Sequence, residues 1–135
     1  MEDKKIKNIY GCSNIEAEGE LYPLQKWYNQ VIEKTISEIT IADVLRMMRQ
    51  NEFVELAISR AIDYLKDNPF AGELYEGELL EKVSMFDINQ IRDYSDEIRN
   101  ILEIALKENE VYEWLNEDER MAFKKIVNSF SEKIG

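Results

Sequence analysis

The stretch NPFAGELYEGELLEKV, residues 68–83, places four glutamates (Glu73, Glu76, Glu78 and Glu81) ahead of its single lysine, Lys82. Carboxylates at this density suit three kinds of chemistry. They can ligate a hard cation, which takes oxygen donors; they can work as an acid–base pair; or they can attract a basic macromolecule. The cation reading meets a difficulty in the spacing. An EF-hand loop alternates its acids around a mid-loop glycine and closes on a distant glutamate, and GELYEGELLEKV lacks that order. If residues 77–83 are helical, Glu78 and Glu81 share one exposed face beside buried Leu79 and Leu80. That describes a solvated helix edge near the positive end of the helix dipole.

The rest of the chain offers no catalytic equipment. It contains no histidine, which removes the commonest general base and metal ligand and excludes Ser-His and Cys-His nucleophiles. The single cysteine, Cys12, forms neither an internal disulfide nor a cysteine-rich zinc site. No phosphate-binding loop or dinucleotide fingerprint occurs. The sequence therefore predicts a protein that is not an enzyme, with no catalytic residues, metal or cofactor.

Charge is more informative. Seventeen basic residues against 28 acidic ones leave a net charge of −11. Such a field repels nucleic acid and anionic lipid and favours fast, salt-sensitive association with a basic partner. Two further acidic stretches join the first. Glu16, Glu18 and Glu20 alternate through IEAEGEL, and ENEVYEWLNEDE (108–119) reads either as a face for a basic partner or as a wet link between helices. A lone thiol and a start, MEDKKIKNIYGCS, without an apolar core predict a cytoplasmic protein with no signal peptide. No apolar run approaches the length of about eighteen residues that a membrane span needs.

The elements that carry these residues follow from periodicity. Residues 1–21 look irregular. Tyr22-Pro23 opens a helix whose Leu24, Trp27, Tyr28 and Val31 share a face. Thr40 with Asp43 forms a capping box ahead of Ile41, Val44, Leu45 and Met48. The run NEFVELAISRAIDYLKDN is apolar around most of its circumference, as a central helix is, and stops before Pro69. GELLEKV supplies one or two turns. Asp87 caps a longer run that bends near Ser95, and Asn116 with Glu119 opens a last helix bearing Phe123, Ile126, Val127, Phe130 and Ile134. The prediction is one all-α domain over 1–135, a bundle of about six helices, several of them short.

The middle of the chain also resembles a known family. Thr40, Asp43, Val44, Met48 and Gln50 follow the pattern T-V/I-x-D-L-x-x-L-I/M-x-Q. The stretch AIDYLKDNPFAGELYEGELLEKV (61–83) is similar to A-L-x-x-L-x-x-N-P over residues 61–69 and to F/Y-Y-P-G-D-L-L-x-x-V over residues 74–83. Both patterns belong to the immunity proteins of bacterial contact-dependent growth inhibition systems, and the resemblance spans roughly residues 39–83. Glu76 stands where the pattern has proline, Glu78 where it has aspartate, and Ser59 where it has proline in the preceding helix. The resemblance implies a small cytoplasmic protein that binds and neutralises the C-terminal toxin domain of a surface effector, usually by masking its active site. An acidic inhibitor suits a basic nuclease, an RNase or DNase, bound by a monomer in a 1:1 heterodimer. Asn68-Pro69, Gly77, Leu79 and Leu80 then read as architecture. Glu73, Tyr75, Glu76 and Glu78 form one candidate contact region, and Glu16, Glu18 and Glu20 a second. The alternative is an acidic helical adaptor or regulatory domain that binds an endogenous basic protein.

Overall fold

Residues 4–135 are described by a computed structural model; residues 1–3, where the predicted irregular segment begins, lie outside the described residues. The helices run α1 (Ile6–Tyr10), α2 (Pro23–Val31), α3 (Ile41–Gln50), α4 (Val54–Asp67), α5 (Glu78–Ser84), α6 (Ile88–Ile91), α7 (Ser95–Asn109) and α8 (Glu117–Ile134). A 3-10 turn at Arg92–Tyr94 joins α6 to α7, so these two form the bent run that the sequence predicts near Ser95. The described residues hold no β-strand, only an isolated antiparallel bridge between Lys5 and Thr35. The all-α prediction is met.

α3 packs along α4 and α7 along α8; α4 touches α7, and α5 bridges α3, α4 and α8. Buried side chains from Ile6 to Ile134 form one continuous core. α4 buries Leu56, Ala57, Ile58, Ala61, Ile62 and Leu65, as its wide apolar face requires. The N-terminal prediction is corrected over five residues. IKNIY forms α1, a helix too short to persist alone. Tertiary contacts hold it: the Ile6 and Lys7 amides each donate over 2.9 Å, to the carbonyls of Lys34 and Ile32, and Ile6 is fully buried. From Cys12 to Leu21 the chain is non-helical, as expected.

The capping box at α3 is present and reaches further than a cap. Thr40 Oγ1 accepts from the Asp43 amide, and Asp43 Oδ2 accepts from the Thr40 amide, both at 3.1 Å. The same carboxylate accepts from Trp27 Nε1 at 3.1 Å and from Lys34 Nζ at 2.5 Å, which ties α2 to α3. Burial pushes the Asp43 carboxyl up, but the Lys34, Thr40 and Trp27 donors together hold it below its ordinary value. A carboxyl depressed in the fold stabilises it above the unfolded-state value and loses that contribution as pH falls. Asp43→Ala is expected to cost about 2–3 kcal/mol at neutral pH. The loss should shrink below about pH 4, where unaltered protein weakens too. Urea titrations at several pH values check both.

Candidate partner-binding surface

α4 ends where Asn68-Pro69 stops it, and Asn68 Oδ1 accepts from the Phe70 amide at 3.0 Å. The chain then turns back on itself. The Gly77 amide donates to Phe70 O at 2.8 Å and the Leu79 amide to Ala71 O at 3.0 Å, closing a loop over residues 70–79. Both glycines are required. A Cβ on Gly72 would lie 2.1 Å from the Tyr75 carbonyl oxygen; Gly77 sits at φ +85°, and its Cβ would meet the Phe123 ring at 2.8 Å. The sequence assigned the turn to Gly77. It missed Gly72, whose constraint is close approach rather than backbone sign.

Glu78 is not an exposed contact residue. Its side chain is 2 % exposed, and Oε1 accepts from the amides of Glu73 and Leu74, each at 2.9 Å. The carboxylate thus satisfies two loop donors that have no helix or strand to bond them. The expectation of a solvated edge fails because the loop folds back over the start of α5. The one sequence signal was the acid that the family pattern keeps at this place.

With Glu78 beneath, Glu73, Leu74, Tyr75 and Glu76 are pushed outward as an exposed ridge. The Tyr75 hydroxyl donates to Glu81 Oε1, and the Tyr112 hydroxyl donates to Glu76 Oε1 at 2.5 Å. Burial and then these carboxylates push both phenols up to about 12, so they remain donors. Open cavities of about 410 and 490 Å³ flank the ridge, one toward α8 and one toward Tyr64 and Ile41.

The stretch 108–119 is more than a wet link. Tyr112 stacks on Phe70 with ring centroids 3.8 Å apart, and Trp114 packs against both Phe70 and Phe123, which also touch each other. Trp114 Nε1 donates to Oδ1 of buried Asn109 at 2.8 Å. Arg120 pins the turn from below, donating to the carbonyls of Asn109 and Tyr112 and to Glu117. Only Val111 and Leu115 among its apolar residues stand exposed. Arg120→Ala is expected to cost about 1–2 kcal/mol and to speed amide exchange across 110–116, measured by hydrogen exchange, while α3 and α4 stay protected.

Glu16, Glu18 and Glu20 lie elsewhere. They are exposed on the extended segment before α2, which is tied down by paired bonds between Ile15 and Asn29, and Glu20 reaches Lys26 at 3.5 Å. No hydrogen bond or ion pair among the described residues joins this segment to the ridge. Nor do the described residues gather three or more acidic, histidine or cysteine side chains as metal ligands. No helix among them is long and apolar enough to cross a membrane.

Residues 8–101 match the family of CDI immunity proteins. The chain belongs to this family. No curated protein matches the sequence. In this CDI immunity protein the matched residues include the ridge and its Glu78 support, whereas Tyr112, Trp114 and Arg120 lie C-terminal to them.

Proposed function

We propose that this CDI immunity protein neutralises a basic, nucleic-acid-cleaving toxin domain by laying its acidic ridge across the toxin's positive active-site cleft. The observation that carries this reading is the exposed Glu73–Glu76 ridge, which has no cation at ion-pair distance among the described residues. A nuclease must attract phosphate, and the same positive cleft attracts carboxylates. The net charge of −11 speeds the encounter. Tyr75, half-exposed between the two acids, supplies a rigid aromatic contact. Glu16, Glu18 and Glu20 form a second acidic contact at the edge. The protein acts in the cytoplasm as a monomer that pairs 1:1 with the toxin and contributes no catalysis of its own.

The test is an assay of the toxin domain encoded immediately upstream, on RNA and on DNA, with increasing amounts of this chain. Cleavage that stops at one equivalent is the expected result. A toxin that cleaves neither nucleic acid, or one bound but still active, contradicts the reading.

A further inference from the structure

The cavity between the ridge and α8 combines two features. Its walls are apolar: Gly77, Trp114 and Phe123, with Leu74 and Leu115 at the mouth. Leu74 is 74 % exposed and Leu115 92 %. Yet Glu76, Glu81 and Glu119 line the same space. Each of these carboxylates is held by a neutral donor: the Tyr112 hydroxyl for Glu76, the Tyr75 hydroxyl for Glu81, and the Leu115 amide, at 3.2 Å, for Glu119. Among the described residues none of the three has a cationic partner, although Glu33, Glu97 and Glu117 do. The three acids are therefore oriented without being neutralised. Apolar walls beside them focus the resulting negative field into the groove.

We infer that this groove takes one lysine or arginine side chain of the toxin. The aliphatic stem lies along Leu74, Trp114 and Leu115, and the charged head reaches Glu76, Glu81 and Glu119. Long basic side chains divide in this way, burying the stem and keeping the head among polar groups. A cavity of about 410 Å³ admits such a side chain with water around its head. An apolar side chain would strip water from three carboxylates and pair none of them. An acidic one would be repelled. The inference rests on the proposed toxin-binding function and adds to it the chemistry of one anchor.

The test is a binding titration of the catalytically inactivated toxin domain against unaltered protein and the triple variant E76Q/E81Q/E119Q. Glutamine keeps the shape and an acceptor oxygen for each neutral donor while removing the charge. Each surface lysine and arginine of the toxin is also changed to alanine. The triple variant is expected to bind about 100-fold more weakly, chiefly through faster dissociation. One toxin substitution should produce the same loss, and combining it with the triple variant should add little further. A triple variant within about threefold of unaltered protein overturns the groove assignment alone. So does a loss that adds in full to every toxin substitution. If unaltered protein fails to bind, the proposed function falls and the groove assignment with it.

Discussion

Glu78→Ala is expected to destabilise the fold by about 3 kcal/mol, because it leaves the Glu73 and Leu74 amides without an acceptor in a site the loop has already desolvated. Glu78→Gln should cost no more than about 1 kcal/mol, since both donors bond to one oxygen that glutamine still supplies. The consequence for function is larger than the cost in stability. Without the buried acceptor the loop loosens at residues 73 and 74 between its closing bonds, so the ridge must be ordered further at the moment of binding, and affinity falls. Denaturant titration of the three proteins gives the stabilities. Exchange of the residue 73 and 74 amides reports the loop. Equal effects of alanine and glutamine would show that the carboxylate's charge, not an acceptor oxygen as such, holds the loop in place.

Reversing the charge of Glu73 and Glu76 together should have the second large effect. Both side chains belong to the exposed ridge, so Glu73→Lys with Glu76→Lys leaves the core intact. Against a positive cleft the change replaces two attractions with two repulsions. Affinity is expected to fall at least about 1,000-fold, about 4 kcal/mol, with a slower on-rate as well as a faster off-rate. The control is Glu103→Lys with Glu132→Lys, two exposed acids on α7 and α8 outside the ridge, which changes net charge equally. It should slow association modestly and leave dissociation alone. Equal losses in the two double variants would reduce the ridge to a share of the general field. Surface plasmon resonance against the inactivated toxin separates the rates.

Much of the scaffold is written in local signals. Pro23, the Thr40–Asp43 box, the Asn68-Pro69 stop and the Asp87 cap each act within a few residues, so their helix ends can be read directly from the chain. Asn116 caps α8 as expected, while the Glu119 side chain accepts from the Leu115 amide, so the spacing of Asn116 and Glu119 that suggests a reciprocal capping box yields only its Asn116 half. What escapes the sequence depends on residues far apart in it. α1 exists because Ile6 and Lys7 find carbonyls at 34 and 32. Glu78 looks like any acid at a helix start until the preceding loop covers it. Trp114 reads from its type as a half-buried anchor and is one, but its partners Phe70 and Phe123, like the Phe70 under Tyr112, cannot be read from the local sequence. The candidate surface was legible in its acids, Glu73 and Glu76. Its support and its apolar groove were not, because tertiary closure creates both.

The most direct test is the affinity for the inactivated toxin domain at about 0.05 and 0.3 M salt, concentrations at which exposed charges are weakly and strongly screened. A dissociation constant in the nanomolar range or below is expected at low salt, weakening about tenfold or more at the higher concentration. Tight binding that salt leaves unchanged would contradict the acidic ridge as the source of recognition, and absence of binding at either concentration would contradict the immunity function assigned to it.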